Sequence, residues 1–133
     1  MKILIISESI DNSAAGRVFK SFVESLSLRS DVELYVIANK IEKTLQTTIN
    51  SSELNKPERT NSRWYKLIFS VLNFDLEGYT KVRNGRNDFI KISHSFNPEV
   101  ILVLASGADY NCIDLGVKIA EEYNKPLAIH CVD

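Results

Sequence analysis

Between Ser7 and Arg17 the chain gathers three serine hydroxyls (Ser7, Ser9, Ser13), two carboxylates (Glu8, Asp11), a glycine and an arginine. A glycine at the start of a helix suits a phosphate. The first amides of a helix lack intrahelical acceptors and carry a partial positive charge, and a residue without a side chain lets the anion come close. Gly16 is that glycine, and Arg17 sets a cation beside it. Glu8 and Asp11 are carboxylates that a group-transfer site could use to orient an acceptor hydroxyl, although loop acids are more commonly just solvated. Asp133 is a further carboxylate, at the end of an apolar run. Its ordinary roles there are a helix cap or a solvated strand end. Cys112 and Cys131 have neither metal-ligand spacing nor a CxxC pattern, so they read as buried free thiols and no metal is expected. His94 falls on the polar side of an amphipathic stretch and takes no role.

These residues need elements to hold them. Lys2 to Ser7 is a short apolar run without alternation, which is how a strand buried on both faces of a parallel sheet reads. Glu8 to Ala15 reads as a polar loop. From Gly16, Val18, Phe19, Phe22, Val23 and Leu26 form one stripe of a helix. Val32 to Ala38 is a second strand, and Asn39 to Arg63, polar and interrupted by Pro57, reads as an irregular excursion. Trp64, Leu67, Ile68, Val71 and Leu72 recur at helical spacing. A turn containing Gly78 then leads to a helix with Phe89, Ile92 and Phe96 on one face, which Asn97-Pro98 ends. Glu99 to Leu104 is a third strand running into Ala105-Ser106-Gly107. A helix carrying Ile113, Gly116, Val117, Ala120 and Tyr123 follows, and Leu127 to Val132 is a fourth strand.

The alternation predicts an α/β fold, a doubly wound parallel sheet with its four core strands in the order 2-1-3-4 and helices on both faces. In such sheets ligands sit at the carboxyl ends of the strands where the winding reverses. The crevice should therefore be lined by Ser7 to Gly16 and by Ala105 to Asp109, with the end of the fourth strand alongside.

Composition narrows the class. At 133 residues, 44% apolar and 25% charged, the chain can bury one core, and a net charge of -1 predicts no nucleic-acid partner. No stretch approaches the roughly 18 apolar residues of a membrane span, and Met1 runs into a strand without a leader, so a cytoplasmic protein is expected. A dinucleotide-binding domain needs GxGxxG after the first strand, where only Gly16 is available. A phosphoacceptor receiver needs an Asp at the end of the third strand, where Leu104-Ala105-Ser106 stands. A flavodoxin needs a tight hydroxyl-rich phosphate loop, and here the loop is longer.

The chain resembles the N-terminal domain of the group 1 GT-B glycosyltransferases. The resemblance lies in an immediate MKILIIS strand, a small-residue loop reaching Gly16, VELYVIA as second strand, FNPEVILVLAS where the family has a strand entered through Pro-Asp, and NKPLAIHCVD where it has a Lys-Pro strand ending in an acid. The resemblance implies a Rossmann-like, acceptor-side domain over residues 1–133, cut short before a C-terminal domain that binds the nucleotide sugar. The whole enzyme would move a sugar from a nucleotide-sugar donor to the hydroxyl of a sugar or lipid-linked acceptor, with retention of configuration, in polysaccharide biosynthesis. It would use no metal or other cofactor, and this piece alone would be inactive. Gly16 and Arg17 would lie on the donor diphosphate side, and Asp133 near the acceptor or sugar as a catalytic candidate. Val132 stands where the family often has a His before the acid, and His130 is two residues earlier on the same strand face.

Many such enzymes act on lipid-linked acceptors, and Arg63, Trp64 and Lys66 have the basic-aromatic composition of helices that rest on anionic membranes. That stretch reads first as a helix packed on the sheet with its basic residues in water, since Glu53, Glu58, Asp75 and Glu77 dilute its charge. The expected setting is cytoplasmic, with peripheral contact at the inner membrane face. An uncovered final strand predicts self-association. The competing class is a self-contained flavodoxin-like binding or interaction module without enzymatic activity.

Overall fold

In the computed structural model, residues 1–54, 67, 71, 76–107 and 110–132 are described. Among the described residues five parallel strands form, four of them from apolar, β-rich runs and β3 from a polar one: β1 (Lys2–Ile10), β2 (Glu33–Ile41), β3 (Asn50–Glu53), β4 (Val100–Ala105) and β5 (Leu127–Cys131), in the spatial order β3-β2-β1-β4-β5. β1 is central. It pairs with β2 from Lys2↔Glu33 to Ile10↔Ile41, and with β4 from Ile3↔Val100 to Ser7↔Leu104. The chain is thus α/β, doubly wound and Rossmann-like, with the winding reversing between β1 and β4.

β1 lacks alternation because both its faces are covered. Leu4 and Ile6 join Ile37, Ile101 and Val103 in a core closed by Phe89 of α3 (Leu76–Ser93) and by Leu115 and Ile119 of α4 (Asn111–Tyr123). Ile3 and Ile5 join Val36, Ala38 and Leu104 under Phe19 and Val23 of α1 (Ala14–Ser27). α4 sits close on the sheet because Gly116 has no side chain; a Cβ there would lie 2.3 Å from Val103 Cγ2. α4 stops at Asn124, in the left-handed conformation at φ 48°, two residues before Pro126.

Five expectations need correction. β1 runs to Ile10, so the loop expected from Glu8 is shorter. The stretch read as irregular from Asn39 begins as ordered structure: β2 continues to Ile41, then a short helix α2 (Lys43–Gln46) and β3 follow, held by buried Ile41, Leu45, Ile49 and Leu54. β3 adds an outer strand, so the order 2-1-3-4 becomes the inner part of a five-stranded sheet. Gly78 lies inside α3, whose backbone passes through it without a turn. The α1 stripe is narrower than its periodicity, since Phe19 and Val23 are buried while Val18 and Phe22 are 47% and 37% exposed.

β5 departs from the buried pattern as well. Ala128, Ile129, His130 and Cys131 are exposed, so of the two thiols only Cys112 is buried. His130 stacks on Phe22 with ring centroids 6.0 Å apart. Of the helix expected over 64–74, only Leu67 and Val71 are described, both helical and exposed; Arg63, Trp64 and Lys66 lie outside the described residues. Among the described residues no helix is long and apolar enough to cross a membrane.

Candidate functional site at the carboxyl edge of the sheet

Two polar regions share the carboxyl edge. The first is the crevice between β1 and β4. Glu8 follows the buried run Ile3–Ser7 directly, so its side chain is carried into the edge of the core and is 7% exposed. Its Oε1 accepts the Ser106 N–H at 2.9 Å and its Oε2 accepts the Ser106 hydroxyl. Ser106 is brought there by the pairing of β4 beside β1, and Gly107, at φ 80°, makes the turn that follows. One residue before Glu8, Ser7 Oγ is wholly buried with no hydrogen-bond partner among the described residues. The two segments expected to line the crevice do meet, through Glu8 and Ser106. Ala108, Asp109 and Asp133 lie outside the described residues.

The second region is an open cleft of about 530 Å³ over the ends of β1, β2 and β3, walled by Asp11, Lys40, Glu42, Lys43, Gln46 and Glu53 among others. Its carboxylates are tied by the chain's own donors. Asp11 Oδ1 accepts the Ser13 N–H at 3.0 Å and the Ser13 hydroxyl at 2.6 Å, while Lys40 Nζ stands 4.0 Å from Oδ2. The Ser13 hydrogen bonds, with a smaller contribution from Lys40, hold the Asp11 carboxyl below its ordinary value against the opposing effect of burial. Glu53 Oε1 accepts Ile41 N–H at 2.8 Å and Gln46 Nε2 at 2.7 Å, and Gln46 Nε2 also reaches Ile41 O at 3.1 Å. Lys20 Nζ donates to Glu42 Oε2 at 2.7 Å, which raises the lysine above its ordinary range.

Gly16 borders the cleft, beside Asp11 and Ser13. Ser13 is the N-cap of α1, and its hydroxyl accepts the Gly16 N–H at 3.1 Å. A Cβ on Gly16 would stand 2.3 Å from Asp11 Oδ1 and 2.8 Å from the Asp11 carbonyl oxygen. The close approach that this glycine permits is made by Asp11 and Ser13 of the chain itself. Arg17 is exposed at the first turn. No group of His, Cys, Asp and Glu among the described residues could hold a metal ion.

Sequence reasoning found Glu8, Asp11 and Gly16, and its crevice segments contain their partners Ser106 and Ser13. It missed the far wall of the cleft, because Lys40, Gln46 and Glu53 stood in the stretch read as irregular. The available signal was the spacing of Ile41, Leu45 and Ile49, four residues apart, which marks a short helical turn anchored on the sheet.

No protein-family model matches the chain, and no curated protein matches it. Two crystal structures of the C-terminal domain of a hydrogenase from Pyrococcus furiosus are similar to it in fold. One is 11% identical, covers 97% of this chain and 90% of its own, and superposes with a TM-score of 0.54. The other is 10% identical, covers 96% and 89%, and gives 0.55. Identity this low speaks to the fold alone: a doubly wound α/β domain.

Proposed function

We propose that the chain is the acceptor-side, Rossmann-like domain of a two-domain glycosyltransferase of the GT-B type, acting with a second domain that grips the nucleotide sugar. The observation that supports this is the chemistry of the open cleft. At the head of α1 stands an ionised Asp11 hydrogen-bonded to Ser13, and Ser13 already takes the Gly16 amide. A diphosphate is poorly served by that arrangement, whereas a neutral hydroxyl-bearing acceptor is well served by Asp11, Lys40, Gln46 and Glu53, which mix donors and acceptors. In this reading Asp11 orients the acceptor hydroxyl, and Arg17 reaches toward the donor phosphates from the first turn of α1. The domain's share of catalysis is positioning, together with charge stabilisation of an oxocarbenium-like transition state and a departing diphosphate. Asp133, the residue that the resemblance sets near the acceptor or sugar, is the catalytic candidate of the same proposal. The polysaccharide-forming, retaining and metal-free character of the reaction, a cytoplasmic setting with membrane contact through Arg63, Trp64 and Lys66, and self-association through exposed β5 are parts of the same proposal.

The strand order supports this reading over a flavodoxin-like module. With β3 outside β2, the sheet runs 3-2-1-4-5, the dinucleotide-fold order, and a flavodoxin runs 2-1-3-4-5. Two measurements test it. Calorimetry of the chain with a panel of nucleotide sugars should give no binding tighter than millimolar, and saturation-transfer NMR with methyl glycosides and short oligosaccharides should give a saccharide signal. Micromolar binding of a nucleotide sugar by the chain alone, without a saccharide signal, overturns the proposal in favour of a self-contained binding module.

A further inference from the structure

We infer that the crevice between β1 and β4 is an oxyanion site in which the chain's own Glu8 is the occupant. The Ser106 N–H and Ser106 hydroxyl hold one carboxylate oxygen each, the first at 2.9 Å. A backbone amide and a hydroxyl converging on two oxygens of one anion recognise the geometry common to carboxylate and phosphoryl groups. Burying a carboxylate is costly unless its oxygens are paired, and Glu8 meets that cost here with 7% exposure. The place is the reversal of winding, where sheets of this order take their ligands.

Glu8 can leave without disturbing the sheet. Its neighbours Ser7 and Ser9 are fixed in the ladder, Ser7 opposite both Ala38 and Leu104 and Ser9 opposite Lys40, so a change of side-chain rotamer vacates the seat while the backbone of β1 stays paired. The same end of β1 is incompletely satisfied in the closed state, because Ser7 Oγ is buried without a partner among the described residues. An anionic ligand must compete with Glu8, which makes Glu8 an internal occupant that sets a threshold for binding. The inference goes beyond the sugar-transfer proposal and stands or falls separately, since that proposal rests on the cleft over β1, β2 and β3.

The experiment titrates inorganic phosphate and, separately, acetate into the natural chain, Glu8→Ala and Glu8→Gln, following backbone amide resonances at an ionic strength held constant with chloride. Both variants should bind about tenfold or more tightly than the natural chain, since the competing charge-assisted hydrogen bonds are gone. The largest shift should be at the Ser106 amide, and adding Ser106→Ala should remove the gain. If Glu8→Ala does not fold, Glu8→Gln keeps the size of the side chain and carries the test. Binding of phosphate alone identifies a phosphoryl ligand, of acetate alone a carboxylate, and of both an oxyanion in general. Equal affinity in the natural chain and the folded variants, no binding of either anion, or shifts centred on the first turn of α1 instead of Ser106 overturns the inference.

Discussion

At the β1–β4 crevice a carboxylate is buried with both oxygens bonded to Ser106. Over the ends of β1, β2 and β3 the carboxylates of Asp11 and Glu53 each accept hydrogen bonds through one oxygen and wall an open cleft. The residue types are the same, and the difference lies in position. Glu8 lies within β1 just after its fully covered stretch, so its side chain starts in the core. Asp11 and Glu53 stand just past and at the ends of their strands, beside exposed Lys40 and Gln46. The carboxyl edge therefore divides into a region whose polar groups are paired with one another and buried, where a ligand has to displace Glu8, and one whose polar groups are fixed but still open.

The largest expected effect breaks the closed region. Glu8→Ala removes two hydrogen bonds to a charged group and strands the Ser106 donors, so urea denaturation should show a loss of about 2–3 kcal/mol. Glu8→Gln should lose less, because one oxygen remains. A Glu8→Ala protein as stable as the natural chain would mean that the crevice is no more committed than the cleft.

Gly16 tests the rim of the cleft, where it packs on Asp11 and Ser13. Gly16→Val places a Cβ against Asp11 Oδ1 and the Asp11 backbone, and overpacking of this kind should cost about 1–3 kcal/mol, with any activity following the folded fraction. Unchanged melting together with lost activity would instead mean that the Asp11 loop yields and that a ligand phosphate uses the turn.

Within the cleft, the Asp11–Ser13 pair carries a pH signature. The Asp11 pKa is lowered on folding, so its contribution to stability is complete above the unfolded value of about 4 and disappears as pH falls through the lower folded value. Ser13→Ala removes the main cause of the depression and an N-cap. It should raise the Asp11 titration midpoint, read from its carboxyl carbon by NMR, and cost about 1 kcal/mol at neutral pH. An unmoved midpoint would show that Ser13 does not hold this carboxylate.

The sheet was legible because burial on both faces leaves a simple signature: Ile3–Ile6, Val36–Ala38 and Ile101–Leu104 are unbroken apolar runs. Gly16, Glu8 and Asp11 could be placed at the carboxyl edge for the same reason, since the end of a run fixes where the edge begins. The cleft was not legible. β3 reads Asn-Ser-Ser-Glu and carries no apolar residue, because as an edge strand it is anchored by its backbone pairing with Tyr35 to Ala38 and by flanking Ile49 and Leu54. Gly78 misled in the opposite direction, a turn-forming residue accommodated inside α3 by tertiary context. The link between Glu8 and Ser106 spans 98 residues, and pairings so distant in sequence follow only once β4 is set beside β1.

The smallest expected effect on stability is the most informative about the open region. Lys40 is exposed and its nitrogen is 4.0 Å from Asp11 Oδ2, a separation at which a surface ion pair contributes little, so Lys40→Ala should change unfolding free energy by less than about 0.5 kcal/mol. Its ammonium is nonetheless one of two cationic donors on the cleft wall among the described residues, Lys43 being the other. Saturation-transfer signals from methyl glycosides should therefore weaken several-fold in Lys40→Ala, while those of an exposed lysine on α4, Lys118→Ala, stay at the natural level. If Lys40→Ala instead lost stability comparable to Glu8→Ala, the cleft would be a second internal network. If it kept both stability and saccharide signal, any saccharide would be bound elsewhere, and the acceptor role given to this edge would have to move with it.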